Sequence, residues 1–294
     1  MRKIGGEDFP SRRERAAGQA ARFRGRETDL MKIYSYFPGC TLKDKARELE
    51  RQARLCAEKL GFSLREIPNW QCCGAVYPMA EDEIAPKLSA VRALQYAREQ
   101  GQDLVTVCAA CHHVIKRVND DMAVGGDVAM RANRYLGLQP PYQGQTRVLH
   151  YLEVLRDEVG FDTLRQKVVH PLSGRRVGAY YGCMLLRPSS VLRFDDPESP
   201  TILENFLTAL GAEPVLYPMR NECCGGYRTV TDPQGAARAA ARVTGNAAAC
   251  GAQELMTACP LCRYNLEKSG TPEMKVTYFT ELLAQALGVE EEPQ

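Results

Sequence analysis

Four cysteines in this chain recur in register: Cys72, Cys73, Cys108 and Cys111 are matched by Cys223, Cys224, Cys259 and Cys262 at one constant offset of 151 residues. Each set is a Cys-Cys-Gly followed by a Cys-x-x-Cys, so the fold must accommodate the same unit twice. A fifth cysteine precedes each set, Cys40 and Cys183, at an offset of 143 residues. The difference fits an insertion in the second copy, and the polar, Pro-containing segment 193–200 reads as a surface loop that supplies it. Cys56 and Cys250 stand outside the repeat at apolar positions of helical patterns, where cysteine packs as a small hydrophobe.

The flanks repeat as well. Each copy opens on a short apolar run ending in Gly-Cys, 33–40 and 177–183, which reads as a buried strand. Apolar residues then recur every three or four positions: Ala46, Leu49, Ala53, Cys56 and Leu60 in one copy, and Ile202, Phe206, Leu207 and Leu210 in the other. These spacings predict helices that stop at Gly61 and Gly211. Extended segments 62–67 and 214–217 lead into the Cys-Cys-Gly turns, and second helices are expected over 85–99 and 236–249. Strands over 103–107 and 254–258 then deliver each Cys-x-x-Cys.

Strand, helix, strand, helix, strand in each half predicts an α/β fold. Two pseudo-symmetric βαβ-type lobes arise from the internal duplication, with mainly parallel sheets. The cysteines sit at the carboxyl ends of the strands, where open sheets collect ligands. The first lobe is placed at 31–140 and the second at 176–288, with a connecting segment over 141–175 that holds a short helix at 148–159. Residues 1–30 mix eight Lys or Arg with five Asp or Glu and lack the apolar core of a secretory signal. They are expected to be a disordered leader, or to follow an upstream start codon with Met31 as the natural beginning.

Hydrophobic residues make up 45% and charged residues 25% of the chain, with a formal net charge of +2. That is a soluble composition with too little positive charge to point to nucleic acid. No stretch nears the roughly 18 to 20 apolar residues of a membrane span, so no direct membrane insertion is expected and the expected location is the cytoplasm. In that reducing compartment twelve cysteines read as metal-binding or redox groups rather than as a disulfide framework.

Adjacent cysteines reach one centre only where the backbone bends sharply, and Gly74 and Gly225 beside each pair supply the bend. Zinc takes four ligands, and a cubane 4Fe-4S cluster takes one thiolate per iron. Five thiols exceed both, so the fifth bridges, stays free, or belongs to another kind of cluster. Iron–sulfur is the preferred reading, with zinc in one half as the minor alternative.

The order Cys, Cys-Cys-Gly, Cys-x-x-Cys, complete in both halves, resembles the CCG cysteine-rich domain. Two copies without other modules resemble the B subunit of heterodisulfide reductase, over residues 31 to about 288. The resemblance implies a non-cubane 4Fe-4S cluster in each half. Cys40, Cys72, Cys73, Cys108 and Cys111 would bind one, and Cys183, Cys223, Cys224, Cys259 and Cys262 the other. Thirty-nine residues separate Cys183 from Cys223, at the upper edge of the family's spacing.

It further implies an oxidoreductase acting on a sulfur group, reducing or forming a disulfide between the two clusters as one member of a larger complex. The implied partners are a ferredoxin-like C subunit, a flavin-containing A subunit, and a small-molecule disulfide or thiol substrate. A disulfide takes two electrons whereas a cluster ordinarily passes one, which gives two clusters flanking one substrate a purpose. The chain carries neither a ferredoxin cysteine run nor a Gly-x-Gly-x-x-Gly loop after a strand, so electrons are expected to arrive from partners. The competing expectation is an electron-transfer iron–sulfur subunit of a quinone-linked or sulfur-oxidising complex with no disulfide substrate of its own.

No catalytic residue is assigned beyond the cluster ligands. His112 and His113 follow Cys111 and suggest proton donation, but Arg263 and Tyr264 stand at the matching positions. Lys43, Arg187, Arg228 and Arg263 suit either an anionic substrate or ordinary salt bridges. Trp70, the sole tryptophan, is expected to cover the first cluster from water.

Overall fold

In the computed structural model, which describes residues 31–75 and 84–289, each half of the chain builds one four-stranded sheet whose strands all run parallel. The first half runs β1 (Lys32–Tyr36), α1 (Cys40–Asp44), α2 (Arg47–Leu60), β2 (Phe62–Glu66), α3 (Ala85–Glu99), β3 (Leu104–Thr106), α4 (Ala109–Val124), α5 (Asp127–Leu136) and β4 (Val148–His150). A short helix α6 (Tyr151–Val154), one π-helical turn (Leu155–Val159) and α7 (Phe161–Lys167) follow. The second half runs β5 (Arg176–Tyr180), α8 (Ser189–Leu192), α9 (Ile202–Ala209), β6 (Glu213–Val215), α10 (Pro233–Ala249), β7 (Glu254–Thr257), α11 (Pro260–Ser269), β8 (Lys275–Tyr278) and α12 (Phe279–Leu287). The leader expected over 1–30 lies outside the described residues.

The two sheets share one topology, β2-β1-β3-β4 and β6-β5-β7-β8. Register repeats with it: Ser35 faces Leu104 across β1 and β3, and Gly178 faces Leu255 across β5 and β7. β3, β4 and β7 are buried at every residue rather than at alternate ones, as strands of a parallel sheet covered on both faces are. The strand order reverses direction between β1 and β3, and again between β5 and β7. Such a switch point opens a crevice at the carboxyl ends of the strands. The two-lobed α/β architecture is therefore the one the duplication implies.

Each half holds one strand more than the cysteine pattern announces. The helix expected over 148–159 begins as β4, paired with β3 from Leu104–Val148 to Thr106–His150, and only then turns helical. Three strand residues are too few to show a period of two, and the following apolar run masked them. The insertion at 193–200 is also more than a surface loop: Phe194 is 1% exposed and packs its ring 5.9 Å from His150 and 6.3 Å from His112, in the other half. Cys56 lies in the core as expected, but Cys250 is exposed. It follows the last turn of α10, where the buried stripe has already ended at Ala247.

The halves also join through α12, which packs on α2. Lys59 Nζ donates to the Leu287 carbonyl at the end of α12, and Phe279 at its start stacks 5.9 Å from Tyr151.

Candidate metal centre

All three cysteine elements of each half leave the carboxyl ends of adjacent strands. Cys40 opens α1 after β1, the Cys72–Cys73 pair follows β2, and Cys108 caps the amino end of α4, which also carries Cys111. Their sulfurs form a linked chain. Cys40 Sγ lies 3.5 Å from Cys72 Sγ, and Cys73 Sγ lies 3.4 Å from Cys111 Sγ. Thiol contacts from Cys72 to Cys73 and from Cys111 to Cys108 complete the five. In the second half Cys224 Sγ lies 3.4 Å from Cys262 Sγ, while Cys183 touches Cys223, Cys223 touches Cys224, and Cys259 touches Cys262. The ten cysteines singled out from the sequence therefore gather into two groups of five. All twelve cysteines are free thiols.

The backbone turns that bring adjacent cysteines together need positive φ, 76° at Gly74 and 82° at Gly225. Those turns also aim amides at sulfur: Gly74 N–H donates to Cys72 at 3.5 Å, Gly225 N–H to Cys223 at 3.3 Å and Gly226 N–H to Cys224 at 3.4 Å. Hydrogen bonds to sulfur favour the thiolate. Cys73 is held down to about 3 by the thiols of Cys111 and Cys72 and by the Ala75 amide, against its burial. Cys223 falls to about 2 for the same reason, with Cys183 and Cys224 as the leading donors. Cys224 is pushed up to about 12, chiefly by Cys223. Each group thus holds thiolate character beside protonated partners, the state from which a metal displaces protons on binding.

All five cysteines of the first half line one cavity, together with Pro38, Gly39 and, from the second half, Leu261. Among the described residues no three His, Cys, Asp or Glu side chains form a ligand cage for one metal ion. Five thiols are one more than the four donors that a single tetrahedral zinc takes. The donor set does fit a body of several irons, with ligands spread over its surface.

The two groups are neighbours. Ala109, directly after Cys108, donates its N–H to the carbonyl of Ala258, directly before Cys259, at 2.9 Å. The Ala110 amide reaches the Cys259 sulfur, one of the contacts that hold that thiol low after its bond from Cys262. Tyr227, half-buried in the turn after the second Cys-Cys-Gly, feels Cys183 and Cys259 from its own half and Cys73 and Cys108 from the other; burial first, then these thiols, hold its hydroxyl above the usual range. The repeat gave no sign of Tyr227, because Val76 stands at the matching position.

The other residues singled out take structural parts. Lys43 bridges Glu50 at 3.2 Å and Glu66 at 2.7 Å, Arg228 pairs with Asp232, Arg263 pairs with Glu267 and Glu281, and Arg187 donates to the Asn221 carbonyl. The ion pairs of Lys43, Arg228 and Arg263 favour the salt-bridge reading over anion binding, whereas Arg187 has a backbone carbonyl as its partner. Trp70 packs edge-on against Phe37 at 5.8 Å and donates to Glu66 at 3.1 Å, outside the cysteine cavity. His113 contacts the Met184 carbonyl at 3.2 Å.

His112 is fully buried, with Nε2 3.0 Å from Glu153 at an angle too oblique for a well-directed hydrogen bond. Arg263 repeats this arrangement at 2.9 Å from Glu281. Glu153 and Glu281 both close capping boxes at the starts of α6 and α12, so the duplication reaches past the cysteines to the residue after each Cys-x-x-Cys.

Comparison with known proteins agrees with the repeat. The CCG family, described as a cysteine-rich domain, matches residues 34–116 and 177–267. The 8-methylmenaquinol:fumarate reductase membrane anchor subunit of Wolinella succinogenes is 30% identical over 88% of this chain and 94% of its own length. The B subunit of the ferredoxin/F420H2-dependent CoB-CoM heterodisulfide reductase of Methanosarcina acetivorans is 27% identical over 86% of this chain and 89% of its own. A protein of Archaeoglobus profundus described as like the heterodisulfide reductase B subunit is 30% identical over 68% and 69%. Among solved structures, a hypothetical protein from Helicobacter pylori shares the fold with a TM-score of 0.66 at 11% identity, covering 89% of this chain and 50% of that one.

Proposed function

Because the chain belongs to the CCG cysteine-rich domain family and is similar to heterodisulfide reductase B subunits, we propose that it is an iron–sulfur reductase-like subunit that cleaves or forms a disulfide at a pair of iron–sulfur centres within a larger oxidoreductase complex. Cys40, Cys72, Cys73, Cys108 and Cys111 hold one 4Fe-4S centre of the non-cubane type, and Cys183, Cys223, Cys224, Cys259 and Cys262 the other. When bound, the centres supply the one-electron steps that together cleave or form one disulfide. The observation that carries this reading is the hydrogen bond from Ala109 to Ala258 at 2.9 Å, which sets the two Cys-x-x-Cys turns side by side. Two one-electron centres in contact with one substrate match a two-electron bond.

The protein's own part is placement. Glycine turns and amides aimed at sulfur hold the thiolates ready, and Leu261 of one half closes the cavity of the other. A cleft between the halves, lined in part by Lys45, Leu49, Arg263 and Tyr264, shares Thr41 and Leu261 with that cavity. It offers room for the body of a small thiol or disulfide beside the sulfurs. Electrons come from partner proteins, one ferredoxin-like and one flavin-containing.

The test is anaerobic purification followed by metal analysis and electron paramagnetic resonance. The reading expects iron with acid-labile sulfide, and a new paramagnetic signal when the oxidised protein meets the thiol it uses. Iron without any thiol-dependent signal, across a broad panel of thiols, removes the disulfide chemistry.

A second reading has its own observation, the similarity to a subunit of a menaquinol-linked reductase. In it the chain relays electrons between a quinol and another enzyme. No helix among the described residues is long and apolar enough to cross a membrane, so this relay would meet the membrane through a partner. Reduction of the centres by a menaquinol analogue in the purified complex, with no thiol-dependent signal, selects it.

A further inference from the structure

The duplication predicts a pair of hydrogen bonds across the lobes, and one of them cannot form. Ala109 N–H donates to Ala258 O at 2.9 Å. At the repeat offset of 151 residues, Ala109 corresponds to Pro260 and Ala258 to Val107, so the mate of this bond would run from Pro260 to the Val107 carbonyl. Proline has no N–H. It suits the first turn of α11, so the helix keeps its start while the bond is lost.

Tyr278 occupies the gap. Its side chain is fully buried, and its hydroxyl lies 2.8 Å from Val107 O and 3.0 Å from Ala258 O, the carbonyls that precede Cys108 and Cys259. The hydroxyl is not itself part of the repeat: Tyr278 pairs with Thr257 in β7 as His150 pairs with Thr106 in β3, so the first lobe has a histidine at this place. A buried carbonyl needs a donor, and here the donor is a side chain that reaches both halves.

We propose that the Tyr278 hydroxyl replaces the cross-lobe hydrogen bond that Pro260 cannot make, and so fixes the separation of the two Cys-x-x-Cys turns and of the centres they hold. This rests on the iron–sulfur reading above. Tyr278 is a positioning residue: it acts through the backbone of the turns.

The experiment compares the full-length, anaerobically prepared, iron-loaded protein with Tyr278→Phe and with Tyr278→Phe combined with Pro260→Ala, which returns an N–H to the position facing Val107. Tyr278→Phe is expected to keep its iron, lose roughly 3 to 8 °C of thermal stability, and change the spin–spin interaction between the reduced centres, read as altered microwave power saturation. The double variant is expected to recover both. An unchanged spin interaction in Tyr278→Phe, or no recovery in the double variant, overturns the clamp while leaving the iron–sulfur reading in place. If Tyr278→Phe alone does not fold, folding of the double variant supports the clamp and its failure overturns it. Iron-free wild-type protein sinks the parent reading and the clamp with it.

Discussion

A Cβ added to Gly39 would stand 2.7 Å from the Cys111 sulfur. Gly39 precedes Cys40 and holds φ +77°, so both its backbone and its missing side chain make room for a thiol that arrives from α4. Gly39→Ala should therefore displace Cys111 from the first group while the second group, on its own sheet, stays intact. The expected outcome is iron content reduced to about half that of the wild type in a folded protein. Full iron content in Gly39→Ala would show that the first centre tolerates the shift. At the matching Gly182 the Cβ would meet Cys262 at 3.5 Å, so Gly182→Ala should suffer from backbone strain more than from contact.

Cysteine position in the repeat, rather than cysteine as such, should govern metal content. Cys73→Ser and Cys224→Ser each remove a buried thiol at the middle of its chain of contacts and should lower iron and sulfide in one half. Cys250→Ser alters an exposed thiol outside both groups and should leave iron content and melting temperature unchanged. Cys56→Ser should leave iron unchanged too, yet lower stability by about 1 to 3 kcal/mol, because it puts a hydroxyl into an apolar, fully buried site. Colorimetric iron and sulfide assays beside thermal melts separate these outcomes.

Regular spacing made most of the site legible. The constant offset from Cys72 to Cys223 and from Cys111 to Cys262 placed the same loops at the ends of equivalent strands, and the helical spacing from Leu49 to Leu60 fixed α2. What stayed hidden depends on contacts between halves, which local pattern does not encode. Phe194 sits in a polar insertion yet packs on two histidines of the other half. Cys250 continues an apolar pattern by one turn after the helix has left the core. Tyr278 looks like an ordinary strand residue until Pro260 is set against Ala109. Short buried strands such as β4 carry too few residues to declare a period.

Lys43 is placed to stabilise the fold rather than to meet a substrate. It contacts Glu50, whose side chain is 8% exposed, and Glu66, and Arg54 joins the same two carboxylates. Lys43→Met should leave a buried carboxylate with one cation fewer, lowering stability by about 1 to 2 kcal/mol with no change in iron content. A change in thiol affinity without any change in denaturation midpoint would reverse the assignment.

His150 should make the fold acid-sensitive in a defined window. It is fully buried, and burial first, then the neighbouring His112, lower it from the ordinary 6.5 to about 3. The native state therefore stays neutral where the unfolded chain takes up a proton, so stability is full above 6.5 and falls as pH drops toward 3. Between pH 6.5 and 5 the loss from this residue is about 2 kcal/mol. His112, also lowered by burial, acts in the same direction. Glu153 has the opposite charge and is held at about 2, against its burial, by His112 and Lys116. It stays ionised in both states through most of this window and adds its own loss only below about 4.5. Lys116 is lowered by burial from 10.5, and its effect falls on the alkaline side. His150→Asn keeps a side-chain acceptor for the Leu152 amide, which His150 now accepts at 3.2 Å, and removes the titration. Anaerobic denaturant midpoints measured from pH 7 to pH 5 should therefore decline less steeply in His150→Asn than in the wild type, and parallel declines would show that the imidazole is protonated inside the folded protein.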